Sequence, residues 1–360
     1  MMKSATICLS MIVKNEAHCI EKGLRSVLPY LSYWIICDTG STDETETVVK
    51  QILADIPGEF HHHEWQDFAT NRNLALQLAQ KHADYILILD ADDYLQIHNP
   101  QIFSQLSAPA YQILIQHHRI QYHRIQLFKS NLTAYYEGVV HECLMIPLPL
   151  NEIPILKDCV MIYGGVGNRS SDPQKYYRDA QILERALIQQ PDHSRYAFYL
   201  AQSYRDAGES LKALIHYQRR AIMIHGWHEE TFVALLEAGK LLQELEPQNI
   251  EGIETLFLRA SHFSRRAEPF YYLAYFHRLR QNFHKAYFYA EYGLTITTPP
   301  PDALFLEHSC YRWRLLDEYS VAAYWAGYHQ QFREAILKLL TIPDIPEADK
   351  QRIMDNQQFF

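Results

Sequence analysis

The sequence predicts an α/β N-terminal domain followed by an all-α helical-repeat domain. From residue 5 to about 165, short apolar runs alternate with amphipathic segments, which is typical of a parallel sheet with crossover helices. After Asp172-Pro173, long helical patterns with aromatic residues at helical intervals replace that alternation. We therefore expect a first domain at residues 1–170, helical repeats at 171–345 and a C-terminal tail at 346–360.

The N-terminal half contains two groups of predicted strands. The first group is apolar, rich in β-branched and aromatic residues, and consists of Thr6–Val13, Tyr33–Cys37 and Tyr85–Leu89. Between these runs lie segments with helical spacing of apolar residues: Glu16–Leu28, Glu44–Leu53 and Asn71–Ala79. The second group lacks long intervening helices and consists of Tyr111–Ile115, His123–Phe128 and Cys159–Tyr163. A Rossmann-like sheet with a mixed edge is the expected result.

The C-terminal half contains an internal repeat. Aligning Tyr196–Arg220 with Pro269–Gly293 superimposes Leu-Ala pairs and a later alanine, at an offset of about twice the tetratricopeptide period. Further helix pairs are predicted at Thr231–Leu245 with Ile253–Ser261, and at Tyr319–Tyr328 with Phe332–Leu340. Paired helices of this kind bury their apolar faces against their neighbours. An unspecialised helical bundle is the alternative.

Composition excludes several classes of protein. The chain has 360 residues, 48% of them apolar, and a formal charge of −9, which argues against general affinity for nucleic acid or anionic membrane. No apolar run is long enough to span a bilayer. The six cysteines show no CxxC or CxH pairing, so we expect free, mostly buried thiols and a cytoplasmic protein.

The most informative motif is Asp90-Ala91-Asp92-Asp93, which follows a buried strand. Two carboxylates at i and i+2 at a strand's end can converge on one hard divalent cation. Such a cation neutralises a diphosphate, so an activated nucleotide is the expected substrate. Taken alone, an acidic turn that caps a helix explains the motif equally well.

Two other strands also end in polar motifs. The first ends in Val13-Lys14-Asn15-Glu16, and the second in Asp38-Thr39-Gly40-Ser41-Thr42-Asp43. Ligands of parallel α/β sheets bind beyond the carboxyl ends of the strands. Much of the second motif suits a tight turn and a helix cap, but Asp38 lies directly at the strand end and is expected to face a ligand.

Together these motifs resemble the family-2 glycosyltransferases with the GT-A fold. The resemblance rests on Met11–Glu16, Cys37–Asp43, Asp67-Phe68 through Arg72-Asn73, Leu87–Asp93 and Gly138–Glu142, and covers residues 5–165. Within that family, the subgroup with tetratricopeptide-like helices after the catalytic domain is the most similar. That subgroup in turn resembles the peptide S-glycosyltransferases that act on bacteriocins.

The resemblance implies a role for each donor-side residue. Val13, Asn15 and Glu16 would line the nucleotide pocket, with Asp38 on the base and Arg72 beside it. Asp90 would hold the ribose or assist the metal, Asp92 would coordinate Mn²⁺ or Mg²⁺, and Asp93 would orient Asp92. The alternative is that Arg72 is an ordinary helix-surface arginine. The implied donor is a nucleotide sugar such as a UDP-sugar.

The implied catalytic residues are Glu142, with Glu137 as the reserve base, and His141, which could reach the metal or the acceptor. On a strand, His141 and Glu142 would point to opposite faces, so family position alone supports this assignment. Relatives often carry His-Tyr-Gly where this chain has Ile162-Tyr163-Gly164. Adjacent residues in His61-His62-His63 cannot converge on one ion and are interpreted as a solvated strand end.

The expected function is transfer of a sugar to an acceptor, metal-dependent and inverting. The acceptor would be a protein or peptide bound by the helical repeats, although a polysaccharide or lipid-linked glycan also remains open. A different class of function is an interaction protein whose sugar-nucleotide domain has degenerated, which the replacement at Ile162 favours. A nucleotidyltransferase lacks support because no Gly-rich phosphate loop with an adjacent basic residue is present.

Overall fold

The computed structural model describes residues 5–117, 120–165, 167 and 172–360; the side chains of residues 117, 120 and 121 are also left undescribed. The chain divides into two compact units, Met1–Lys175 and Tyr176–Phe360. The expected boundary between residues 170 and 171 lies outside the described residues.

The N-terminal unit contains a mixed sheet, as predicted, with eight strands among the described residues. Its order is β3-β2-β1-β4-β7-β6-β10-β5, and β8 and β9 form a separate hairpin. The strands are β1 (Ile7–Val13), β2 (Tyr33–Asp38), β3 (Gly58–His62), β4 (Tyr85–Ile88), β5 (Tyr94–Ile97), β6 (Ala110–His117), β7 (Ile120–Lys129), β8 (Tyr135–Glu137), β9 (Cys143–Met145) and β10 (Ile155–Ile162).

The first four strands are parallel and bring their carboxyl ends to one edge. Val13 pairs with Asp38 across β1 and β2, and Ser10 pairs with Ile88 across β1 and β4. Beyond β4 the sheet becomes mixed, because β7 is antiparallel to both β4 and β6 and β5 is antiparallel to β10. The sequence did not predict β3 or β5 as separate strands.

Three helices cover the sheet: α1 (Ile20–Val27), α2 (Thr45–Ile52) and α3 (Phe68–Ala79). Helices α1 and α2 pack on one face through residues such as Leu24 and Val49, and α3 packs on the other through Ala75 and Leu76. The predicted start of α1 at Glu16 is too early, because residues 16–19 form a turn. Helix α3 begins earlier than predicted, since the Asp67 side chain caps it by accepting from the Thr70 amide at 2.8 Å.

The C-terminal unit is all-α, as predicted. Its helices are α4 (Lys175–Gln189), α5 (Ser194–Asp206), α6 (Ser210–Ala221), α7 (His228–Leu245), α8 (Ile250–Phe263), α9 (Glu268–Leu279), α10 (Phe283–Leu294), α11 (Leu315–Trp325), α12 (His329–Leu340) and α13 (Glu347–Asp355). Helices α5 to α12 pack as four consecutive antiparallel pairs, α5 with α6 through α11 with α12. Small residues lie at the pair contacts, where Ala201, Ala213, Ala274 and Ala286 are fully buried.

The turns inside three of these pairs are equivalent. In each, a residue with left-handed φ follows the first helix: Gly208 at 79°, Gln281 at 58° and Gly327 at 86°. The next residue donates its amide to the carbonyl five positions back, as Glu209 does to Tyr204 at 2.8 Å and Asn282 to His277 at 2.9 Å. This is the Schellman arrangement that ends helices. The internal repeat inferred from the sequence is therefore present in the backbone.

The expectation of a C-terminal tail at 346–360 is wrong for its larger part. Residues 347–355 form α13, and Ile353 is fully buried in a core with Phe332, Ile336 and Leu339. The apolar contact of one isoleucine was too weak a signal in a charged segment. All six cysteines are free, as predicted, and four are buried. No helix among the described residues has the length and apolarity that a bilayer crossing requires.

Candidate active site

The strand ends of β1 and β2 are bound to each other through their loops. The carbonyl of Val13 accepts hydrogen bonds from the amide and hydroxyl of Thr39, at 2.9 and 3.1 Å. Asn15 has a left-handed φ of 57°, its amide donates to Ser41 Oγ at 2.8 Å, and its side-chain oxygen accepts from the Thr42 amide at 2.7 Å. These bonds give the two predicted donor-side loops one fixed geometry.

Asp38 lies buried at the end of β2, and its carboxylate accepts hydrogen bonds from the turn that follows. Its oxygens accept from the Ser41 amide at 3.1 Å and from the Ser41 hydroxyl at 2.5 Å. The ring of His62, at the end of β3, stands 3.3 Å from Asp38 Oδ2 and 3.2 Å from Glu46 Oε2. The solvated strand end was correctly predicted for His62, whose side chain is exposed, but its contact with Asp38 was not anticipated.

Arg72 connects two of the predicted site residues. From the second turn of α3, its Nη2 donates to Asp90 Oδ1 at 2.6 Å and its Nε donates to Glu142 Oε1 at 2.7 Å. The guanidinium also lies over the Tyr136 ring, 5.5 Å from its centroid. Arg72 is 13% exposed and is therefore not an ordinary helix-surface arginine.

A second contact holds Glu142 beside the sheet. Asn73, next to Arg72 on α3, donates from its side chain to the Tyr136 carbonyl at 2.9 Å and accepts from the Tyr136 amide at 2.6 Å. Tyr136 belongs to β8, and Glu142 lies in the loop of residues 138–142 that joins β8 to β9. Helix α3 thus fixes the hairpin that carries Glu142.

The other two catalytic candidates lie on the same hairpin. Glu137 is exposed at the end of β8, and His141 is exposed in the loop with a left-handed φ of 53°. The expectation that His141 and Glu142 are neighbours on a strand is wrong. Strand alternation therefore does not decide their directions, and Gly138, with a φ of 116°, lets the loop turn.

Arg124 is a site residue that the sequence analysis missed. It lies on β7, and its Nη2 is 3.5 Å from Asp90 Oδ2 and 4.0 Å from Asp93 Oδ2. Among the described residues, its buried Nε has no hydrogen-bond partner. The available signal was a basic residue in a predicted strand. Placing that residue beside the acidic strand end required knowledge of the strand order.

In the acidic cluster, the pKa values of the Asp90 and Asp93 carboxyls are shifted in opposite directions. Burial alone would raise the pKa of Asp90, but the positive charges of Arg72 and Arg124 lower it. The pKa of Asp93 is raised to about 7, first by burial and then by the charges of Asp90 and Asp92, although Arg124 and the Gly164 amide oppose the shift. Asp93 is therefore about half protonated near neutral pH, while Asp90 is ionised.

Replacing Asp93 by Asn should change the pH dependence of stability. A carboxyl with a raised folded-state pKa contributes stability that is present at low pH and lost as the pH rises toward that pKa. Without metal, wild type should lose roughly 2 kcal/mol more than Asp93→Asn between pH 5 and pH 8. Urea unfolding at the two pH values measures this difference, and identical pH dependence in the two proteins would contradict it.

Asp92 lies against a glycine-rich segment that follows β10. Its Oδ2 accepts from the Gly167 amide at 3.0 Å, and Asp93 Oδ1 accepts from the Gly164 amide at 3.2 Å. A Cβ on Gly164 would collide with the backbone oxygen of Asp92, so only glycine permits this approach. Ile162, which replaces the family histidine, is the last residue of β10 and therefore lies two residues before this contact.

The structure brings the predicted donor-side residues to one edge, but it does not bring all three aspartates onto one point. Among the described residues, Asp90, Asp92 and Asp93 do not gather their carboxylate oxygens within 4.8 Å of one another. Asp92 and Asp90 supply only oxygen atoms, which are the ligands that a hard cation takes. Asp93, buried and bonded to Gly164, suits a supporting position.

The N-terminal unit contains a family-2 glycosyltransferase domain. The family model described as glycosyl transferase family 2 matches residues 8–131. That range includes the strand ends, α3 and the acidic cluster, and it confirms the resemblance inferred from the motifs.

Of two curated relatives, one is named as a repeat-containing protein and the other as a glycosyltransferase. A TPR repeat-containing protein of Synechococcus elongatus is 36% identical over 107 residues, which cover 29% of this chain and 25% of that protein. The SPbeta prophage-derived glycosyltransferase SunS of Bacillus subtilis is 26% identical over 215 residues, covering 55% of this chain and 49% of SunS. The matches thus span half or less of either relative's length.

Solved structures give weaker likenesses. The MamA protein has a TM-score of 0.37 at 14% identity, covering 46% of this chain and 81% of MamA. TarS of S. aureus has a TM-score of 0.34 at 12% identity, covering 71% of this chain and 52% of TarS.

Proposed function

We propose that this protein is a glycosyltransferase that moves a sugar from a nucleotide-sugar donor, a UDP-sugar, to an acceptor, with inversion at the sugar. The observation that supports this most is the ion-pair bridge in which Arg72 joins Asp90 to Glu142. In that bridge, two nitrogens of one guanidinium bind a donor-side carboxylate and a candidate base. Arg72 and Asp90 lie within residues 8–131, which the family-2 model matches.

The donor's base would bind at the ends of β1 and β2. The rigid loops around Val13 and Asn15 offer backbone groups, and Asp38 offers a carboxylate at the strand end. Glu16 follows directly and completes the donor-side set predicted from the sequence. A carboxylate at the Asp38 position can accept a hydrogen bond from a base ring nitrogen or a ribose hydroxyl. His62 would keep Asp38 oriented.

The diphosphate would lie beside the acidic cluster. Asp92, assisted by Asp90, would hold Mn²⁺ or Mg²⁺ through oxygen ligands. When bound, such a cation supplies charge neutralisation for the departing nucleoside diphosphate. The unpartnered Nε of Arg124 is a further donor for an anionic oxygen, which supports an anion near Asp90.

Glu142 would accept the proton of the acceptor's hydroxyl or thiol as that group attacks the sugar. Its contact with Arg72 at 2.7 Å keeps the carboxylate oriented. Glu137 and His141 on the same hairpin would stand on the acceptor side. The acceptor would be a protein or peptide held by the helical repeats, which offer paired-helix surfaces of the kind that bind extended chains.

Glu142→Gln should retain donor binding and lose transfer by at least about 100-fold. The amide keeps the shape and can still contact Arg72, but it cannot take a proton. Sugar transfer and UDP binding would be measured on the same preparation. Glu137→Gln is the matched control, because it makes the same chemical change on an exposed residue of the same hairpin. Full turnover in Glu142→Gln, with loss in Glu137→Gln, would move the base role to Glu137.

A second function is a non-catalytic interaction protein with a degenerate sugar-nucleotide domain. The presence of Ile162 at the position of the family histidine favours it, because a candidate ligand for the metal or diphosphate is missing there. Hydrolysis of UDP-sugars with Mn²⁺ separates the two functions. Turnover in wild type that disappears in Asp92→Ala supports the enzyme, whereas equal and negligible turnover in both leaves the binding role.

A further inference from the structure

Residues 16–19, between β1 and α1, form a turn that is held in place by hydrogen bonds from backbone amides. The amides of Cys19 and Ile20 both donate to the Glu16 carbonyl at 3.0 Å. The Glu16 amide donates to Thr45 Oγ1 at 2.9 Å, and the Ala17 amide donates to Asp43 Oδ2 at 3.1 Å. The turn is therefore attached to the start of α2 as well as to its own helix.

Three different side chains of this turn converge. A carboxylate oxygen of Glu16, a ring nitrogen of His18 and the sulfur of Cys19 all lie within 4.8 Å of one another. The Cys19 thiol donates to Glu16 Oε2 at 3.1 Å, so two of these atoms are already in direct contact. Among the described residues, this is the one group of three or more His, Cys, Asp and Glu side chains that meets at this distance.

We propose that Glu16, His18 and Cys19 form a binding site for a borderline-soft divalent cation of the zinc class. Sulfur, imidazole nitrogen and carboxylate oxygen are the ligands that zinc takes in proteins. Three protein ligands leave a fourth position of the tetrahedron open to water or to a ligand. The oxygen-only set of Asp90 and Asp92 favours the harder Mn²⁺ or Mg²⁺ instead, so the two sites select different ions.

Zinc binding requires only a small adjustment. With zinc bonds of about 2.0 to 2.3 Å, ligand atoms stand roughly 3.3 to 3.8 Å apart in a tetrahedral site. Glu16 Oε2 and Cys19 Sγ, now 3.1 Å apart, would have to separate by a few tenths of an ångström. His18 is exposed, so its ring can move by about 1 Å without disturbing a core. The zinc would replace the proton that Cys19 now shares with Glu16, because the thiolate is the ligand form of cysteine.

The proposed zinc site adjoins the acidic cluster. A Cβ on Gly167 would lie 3.5 Å from Glu16 Oε2 and 3.2 Å from Asp92 Oδ2, so both carboxylates lie beside the same glycine. A zinc ion there would bring a second positive charge close to Asp92 and would repel the Mn²⁺ that Asp92 is proposed to hold. Zinc should therefore inhibit Mn²⁺-dependent donor turnover, a consequence that rests on the proposed function, whereas zinc binding itself does not.

Titration of the full chain with Zn²⁺ alone, against a chromophoric chelator, tests the site. Wild type should bind one zinc, and Cys19→Ser and His18→Ala should each weaken that binding at least about 10-fold. Cys143→Ser and His61→Ala are matched controls, since they remove the same ligand types elsewhere in this unit, and should bind zinc as wild type does. Circular dichroism would verify that every variant is folded.

Other outcomes of these titrations would contradict the proposed zinc site. Absence of stoichiometric zinc binding in wild type, or unchanged affinity in both Cys19→Ser and His18→Ala, would remove the site. Loss of affinity only in His61→Ala would assign the zinc to the histidine run. Asp92→Ala should still bind one zinc, so failure of the zinc proposal and failure of the glycosyltransferase proposal give different results.

Discussion

Asp92→Ala is expected to weaken Mn²⁺-dependent UDP binding by about 100-fold or more, equivalent to ~2.7 kcal/mol. The substitution removes the carboxylate proposed to hold the cation against the diphosphate. The fold should persist, because Asp92 contributes no core volume and its described side-chain bond is one contact with the Gly167 amide. Isothermal titration with UDP, with and without Mn²⁺, measures the effect.

Asp55→Ala serves as the control for this experiment. Asp55 is an exposed carboxylate beyond the end of α2, so its removal changes the net charge equally without touching the site. Wild-type affinity is expected for that variant. If Asp92→Ala bound UDP as tightly as Asp55→Ala in the presence of Mn²⁺, Asp92 would not be the metal ligand.

Arg72→Ala is expected to reduce both stability and activity. It would leave Asp90 and Glu142, which are 27% and 14% exposed, without their shared cation. Removing one partner of a largely buried ion pair costs about 3 kcal/mol or more. Unfolding in urea should therefore show a clear loss of free energy, and donor turnover should fall by at least about 100-fold because Glu142 loses its orientation.

Two further variants interpret that result. Arg25→Ala breaks an exposed pair with Glu21 in which both side chains are about 60% exposed, and it should change stability by less than about 1 kcal/mol. Arg72→Lys keeps the charge but loses the planar fork that reaches two carboxylates at once, so it should restore stability more than activity. Stability of Arg72→Ala equal to that of Arg25→Ala would show that the bridge does not contribute.

The parts of the fold that the sequence predicted are those set by local pattern. Continuous apolar runs such as Tyr85–Leu89 can be satisfied only in the centre of a sheet, and polar residues directly after them must lie at its edge. Helical spacing and the recurrence of Leu-Ala pairs likewise predicted the helix pairs of the C-terminal unit. Asp38 and the acidic cluster were found for this reason, whereas Arg72 was named from the family resemblance.

The parts that were missed depend on which strands become neighbours. Arg124 reaches Asp90 only because β7 inserts next to β4, and an antiparallel insertion leaves no local mark in the sequence. The contact of His62 with Asp38 depends on the pairing of β3 with β2. The loop position of His141 and Glu142 depends on the short hairpin of β8 and β9, whose three-residue strands are too short for a clear alternation.

The most direct test of the central proposal is a crystal of this protein soaked with UDP and Mn²⁺. We expect density for one cation about 2.0 to 2.4 Å from an Asp92 oxygen, with the diphosphate on its far side and the uracil at the end of β2 near Asp38. An empty pocket at saturating UDP and Mn²⁺, or a cation bound away from Asp92, would contradict the proposed glycosyltransferase site.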